Sequence, residues 1–242
     1  MNRYRLAGLF ALLLTLTPPA RIATAESPAA SPPTRPVPWL VQLGIERDNR
    51  KLAAQMFHLA ARSNDLAFGV GYFVTETDQR LRRIATEAGK SPQSIANLAG
   101  TALEYGLMVA LLNQGKQPLY WQAEFAEIPN NFYDIMLFTR EHGPVVISPK
   151  TSLRERYKQA DLEALALRGV FPDSRFYLVT LDPNKKHVAN VQRKIASGEV
   201  RGIRRLYNET DLDELFRELA NLTVIEPPAG TLRQARRIPA TH

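Results

Sequence analysis

The sequence predicts an α/β protein, a mixed β-sheet flanked by helices and preceded by a helical N-terminal region. Three observations carry this. Apolar residues recur at helical spacing as far as Asn113 and then, after Gly115, switch to alternation or short apolar runs. Three such runs follow with only short turns between them, so the sheet begins antiparallel. Two strand–helix–strand passages come next, and each calls for a parallel pair.

Taken in order, Asn2-Arg3-Tyr4-Arg5 is a basic stretch, Leu6 to Leu16 an apolar one, and Ala23-Thr24-Ala25 supplies small residues for a signal peptidase. Residues 1–25 are therefore expected to be a cleavable signal peptide, with the mature chain starting at Glu26 in the periplasm or outside the cell. The alternative is a mis-assigned start codon in front of a cytosolic protein. The apolar run is too short, and too soon ended by Pro18-Pro19, for a stable membrane span. Residues 26–38 (ESPAASPPTRPVP) read as a proline-rich linker.

Residues 39–90 form the helical region, with Leu52, Met56, Leu59 and Ala60, and then Leu81, Ile84, Ala85 and Ala88, on helical faces. Ser91 and Pro92 restart the pattern as N-cap and first helical residue of a helix from Gln93 to Asn113. Strands are expected at Leu119 to Phe125, Tyr133 to Thr139 and Pro144 to Ser148. A helix (Ser152 to Arg168), a strand (Phe176 to Leu181), a helix (Asn184 to Ala196), a short strand (Gly202 to Tyr207) and a helix (Asp211 to Leu222) follow. Residues 91–225 thus make the candidate catalytic domain, and 226–242 read as a flexible tail.

The formal net charge is +7. Without residues 1–25 the chain has 28 basic against 24 acidic side chains, or +4, a mild bias that permits a polyanionic partner without requiring one. There is no cysteine, so disulfides and thiolate chemistry are excluded. His58, His142, His187 and His242 show no ligand spacing, which argues against a zinc site. Neither a glycine-rich phosphate loop nor a nucleophile elbow is present. Lys185-Lys186 and Arg204-Arg205 read as surface charge, and Trp121 and Phe125 as core.

One constellation stands out. Asp134 opens a strand, and Ser148 and Lys150 end the next, two residues apart and so on one face. A short hairpin brings Asp134 beside them. An acid to hold a divalent ion and a lysine to polarise water or steady a phosphate are what metal-dependent phosphodiester hydrolysis needs. Asp134 as a mere turn-flanking acid is the bland alternative. A Ser148–Lys150 dyad with serine as nucleophile lacks the usual helical or sharp-elbow context.

Phe132-Tyr133-Asp134-Ile135-Met136-Leu137-Phe138, followed by Val145-Val146-Ile147-Ser148-Pro149-Lys150-Thr151-Ser152-Leu153-Arg154-Glu155-Arg156-Tyr157-Lys158-Gln159, resembles the PD-(D/E)xK, or restriction-endonuclease-like, nucleases. It is most similar to type II restriction endonucleases with a Lys-Thr-Ser-Leu-Arg-Glu-Arg segment. The resemblance covers roughly residues 95–210. It implies that Asp134 is the first metal-binding acid, Lys150 the catalytic lysine and Glu104 an acid from the helix before the sheet. Ser148 stands where the family usually has Asp or Glu. Some relatives with Ser-x-Lys draw the missing carboxylate from the following helix, and Glu163, separated from Lys150 by twelve residues, is spaced for that.

The resemblance further implies Mg²⁺ as cofactor, DNA as substrate and possible homodimerisation. Arg154, Arg156, Lys158 and Gln159 are the expected phosphate contacts, with Arg154 and Lys158 sharing a helical face, Arg156 pointing away and Glu155 bracing an arginine. The neutral Ser148 keeps open a second possibility, an inactive periplasmic binding module that retains the fold.

Overall fold

The computed structural model describes residues 38–239. The expected signal peptide at 1–25, the linker up to residue 37 and residues 240–242 lie outside the described residues. The helical half consists of α1 (Trp39–Gln42), α2 (Leu52–Ala60), a 3₁₀ turn (Ser63–Phe68), α3 (Val70–Glu87) and α4 (Pro92–Asn113). Ser91 caps α4 as expected, its Oγ accepting the Ser94 N–H at 3.2 Å, with Pro92 at the first position, where no N–H is missed. By length and composition α4 is apolar enough to cross a membrane. Here it is a core helix, burying Leu103, Leu107, Met108 and Leu111.

Gly115, at φ 73°, takes the left-handed conformation that turns the chain into the sheet. The strands are β1 (Leu119–Phe125), β2 (Tyr133–Thr139), β3 (Gly143–Lys150), β4 (Arg175–Thr180), β5 (Arg205–Tyr207) and β6 (Leu232–Ile238). Helix α5 (Arg156–Val170) joins β3 to β4, α6 (Lys185–Ala196) joins β4 to β5, and α7 (Leu212–Ala220) precedes β6. The sheet runs β5-β4-β3-β2-β1-β6. Strands β3, β4 and β5 are parallel to one another, while β2 and β6 lie antiparallel to their neighbours.

Alternation divides the central strands between two cores. Ile135, Leu137, Val145, Ile147, Tyr177 and Val179 pack with α2, α3, α4 and α7, whereas Met136, Phe138, Val146, Phe176 and Leu178 pack with α5 and α6. With both faces covered, these strands read as nearly continuous apolar runs. The described residues form one compact unit. Leu40, Phe57 and Phe73 share a core with Ile135 and Val145, so residues 39–90 are part of the fold's own interior.

Three expectations need correction. The tail is not frayed, because residues 232–238 form β6 along β1, with Leu119 opposite Ile238 and Trp121 opposite Arg236. This strand, LRQARRI, lacks apolar alternation because it is a sheet edge, where Arg233, Gln234 and Ala235 are exposed and the three arginines pair with Glu124, Glu46 and Glu226. The helix after β3 starts at Arg156 instead of Ser152. Asp182 takes the buried Leu153 N–H at 2.7 Å, and Arg154 adopts φ 33°, so the chain loops before it coils. Finally, β5 begins only at Arg205. Gly202 lies against α5, where a Cβ would come 2.4 Å from the Asp161 carbonyl and where its N–H is already held by the Asp161 carboxylate at 2.5 Å.

Candidate active site

The β2–β3 register pairs Ile135 with Ile147, so the next pair outward is Asp134 and Ser148, on one face of the sheet. Lys150 lies two residues further on that face. Asp134 Oδ2 accepts both the Ser148 hydroxyl at 2.8 Å and the Lys150 ammonium at 2.7 Å. The Lys150 and Asp134 side chains are 12% and 17% exposed, which leaves the pair open to solvent at one end. Lys150 is anchored from behind, since its backbone carbonyl accepts the Thr180 hydroxyl of β4 at 2.7 Å.

Strand β1 adds a third side. Gln122 donates to Asp134 Oδ1 at 3.4 Å, a long contact. Its φ of 52° is left-handed, a conformation that costs a non-glycine residue on the order of 1–3 kcal/mol. The β1–β6 register breaks beside it, between Trp121 and Glu124. Trp121 Nε1 donates to Glu104 Oε2 at 2.6 Å and so ties α4 to this edge of the site.

The electrostatics join these groups. Burial, reinforced by the charge of Asp134, pushes the Glu104 carboxyl up to about 7, against the opposing pull of Trp121, Lys150 and Arg156. Glu163 on α5 is raised in the same way, by burial first. Gln159 (2.8 Å from its Oε1), Lys150 and Arg156 lower it, while Asp134 adds to the rise. Three carboxylates and two cations therefore sit in one field. Among the described residues, no group of three His, Cys, Asp or Glu side chains closes tightly enough to hold a metal ion.

The structure thus brings Asp134, Ser148 and Lys150 into direct contact, with Glu104 and Glu163 in electrostatic reach. It rearranges the basic residues. Arg154 lies in the loop before α5, so it does not share a helical face with Lys158. Lys158 is paired with Glu155, which braces a lysine and not an arginine. Arg156, expected to point away, joins Lys150 as a cation whose charge reaches both Glu104 and Glu163. Gln159 is engaged by Glu163.

Gln122 was not among the expected site residues, and Trp121, expected as core, holds Glu104 instead. Phe125 is core as expected, fully buried. Trp121 is only partly buried, and Gln122 and Glu124, the two polar residues in an apolar strand, were the available signal. A cleft of about 820 Å³ opens just past Lys150, lined by Thr151, Ser152, Arg154, Asn184, Lys185 and His187 among others.

No family profile and no curated protein matches the chain. Among solved structures, it is similar to a chain described as "Restriction endonuclease PspGI-substrate DNA complex". That similarity covers 72% of this chain and 94% of the other, at 13% identity and a TM-score of 0.44. The order α4, β1, β2, β3 with its lysine, α5, β4 is the one the sequence motifs implied.

Proposed function

We propose that this chain is an exported, metal-dependent nuclease that hydrolyses phosphodiester bonds in DNA. The observation that carries the proposal is the convergence of Ser148 and Lys150 on one oxygen of Asp134, at 2.8 and 2.7 Å, from neighbouring antiparallel strands. Raised carboxyls on Glu104 and Glu163 support it, because a centre that makes carboxylates hold their protons is short of positive charge.

That donor set fits Mg²⁺, a hard cation that takes one or two carboxylates and keeps waters of its own instead of requiring an all-protein cage. Asp134, with Glu104 or Glu163, would hold it. When bound, a divalent ion polarises a phosphoryl oxygen and makes water more acidic. Lys150 donates a hydrogen bond from Nζ to the phosphate or to the attacking water. Ser148 holds Asp134 in place through its hydroxyl. Arg156 and Arg154 draw the phosphate backbone towards the loop that follows Lys150.

Plasmid nicking with and without EDTA tests this. Mg²⁺-dependent cleavage that falls by about 10²–10³-fold in Lys150→Ala is the expected result. A second reading, a binding module that keeps the fold without the chemistry, is favoured by one observation: the position facing Asp134 is a neutral, 1%-exposed serine where a carboxylate would complete the centre. Tight DNA binding with no cleavage at any metal concentration would establish it. The mass of the N-terminus of protein recovered from cells tests export, since a chain starting at Glu26 is expected.

A further inference from the structure

Trp121 stands between Glu104 and parts of the chain that no motif tied to the site. Its indole N–H holds Glu104 at 2.6 Å. Two cations lie over its ring, the Arg236 guanidinium 5.2 Å and the Lys51 ammonium 5.6 Å from the centroid. Both cations are anchored to one carboxylate, Glu46, at 3.2 and 2.9 Å respectively. Glu46 is itself 5% exposed and accepts the Tyr105 hydroxyl at 2.6 Å. Tyr105, the residue after Glu104 on α4, packs edge-on against Trp121 with centroids 5.7 Å apart. Across β1–β6, Arg236 is the partner opposite Trp121.

Four segments therefore meet at one indole: the stretch before α2, helix α4, strand β1 and the C-terminal strand β6. A cation over an aromatic face is held by the ring's negative π-cloud, and a pair of them fixes the plane of the ring. Fixing the plane fixes the direction of the N–H that lies in it. The N–H in turn fixes one oxygen of Glu104 and leaves the other available to an ion. A buried anion such as Glu46 would be costly alone; here the tyrosine and the two cations outweigh burial and hold it below the usual carboxylate range.

We propose that Trp121, pinned by Arg236 and Lys51 on Glu46, is a positioning residue that orients Glu104 for divalent-ion binding. The consequence for cleavage rests on the nuclease reading above, whereas the consequence for ion binding does not. Partners that orient an ion's ligands typically change affinity by about 10–100-fold.

The chain has two tryptophans, so Trp39→Phe leaves Trp121 as the single indole. In that background, titration with Mg²⁺ alone is expected to shift the indole emission saturably, and Glu104→Gln to abolish the response. Arg236→Met is expected to raise the half-saturating Mg²⁺ concentration about tenfold, with Arg236→Lys restoring most of it. Lys51→Met provides a second variant on a side chain that is 58% exposed, where folding is least at risk. In cleavage, Trp121→Phe is expected to raise the Mg²⁺ requirement while leaving KM for DNA unchanged.

Emission indifferent to Mg²⁺, or Arg236→Met and Lys51→Met both keeping the parent's half-saturation, overturns the proposal. Cleavage with an unaltered Mg²⁺ requirement in Trp121→Phe overturns it too and leaves the nuclease reading standing. A Glu104-dependent emission response in a protein that cuts no DNA upholds the positioning and removes the nuclease.

Discussion

Glu104→Gln is expected to make the metal-free protein more stable at alkaline pH and to leave it unchanged in acid. In the fold the carboxyl is held at about 7, against an ordinary 4.5. Below 4.5 the group is protonated in both folded and unfolded chains, so it contributes no difference between the acid and the isosteric amide. Between 4.5 and 7 the unfolded chain releases the proton first, and the folded form loses relative stability as pH rises. Above 7 the loss is complete. At 1.36 kcal/mol per pH unit it reaches about 3 kcal/mol, an upper value because solvent screens a partly exposed group.

The amide keeps the acceptor for Trp121 and carries no charge, so the loss vanishes in the variant. For a chain of this size the gap corresponds to roughly 6–12 °C in Tm near pH 8. Thermal and urea unfolding in chelator from pH 4.5 to 8.5 measures it, and the histidines, common to both proteins, cancel in the difference. Mg²⁺ at a hundred times its Kd should add about 2.7 kcal/mol to the parent at pH 8 and far less to the variant. Parallel pH profiles for the two proteins would refute the idea that burial and Asp134 hold Glu104 protonated.

Three further outcomes follow from the same geometry. Ser148→Asp places a carboxylate opposite Asp134 at a buried position, so the metal-free protein should melt at lower temperature, read by thermal unfolding in chelator, and half-maximal cleavage should need less Mg²⁺, read by Mg²⁺ titration of plasmid nicking. Arg156→Ala should reduce the slope of log affinity for DNA against log salt by about 1, and Lys158→Ala should change it less, because Glu155 already neutralises that lysine. Asp182→Ala removes the acceptor from the Leu153 N–H (2.7 Å) and the Asn184 N–H (2.8 Å). Stranding these two donors should cost at least about 2 kcal/mol in urea unfolding, and the loop bearing Arg154 should become susceptible to protease.

The sequence by itself determined the helix–sheet order, the bounds of β1 and β2, the Ser91 cap and the meeting of Asp134, Ser148 and Lys150. All of these are local. Alternation in a pleated strand fixes which side chains share a face, and a short hairpin fixes the register of the two strands it joins, so residues 134 and 148 had little freedom to miss each other. Tertiary structure decided the rest. The start of α5 depends on Asp182, 29 residues beyond Leu153, and the direction of Arg156 follows from that start. Strand β6 exists only because β1 offers an edge, and its arginines carry no apolar period that could announce it. The tie between Trp121 and Glu104 joins a strand to a helix, and its bracing on Glu46 reaches across 190 residues to Arg236. Contacts of that span leave no periodic trace in a chain, because what selects them is the packing of one finished element against another.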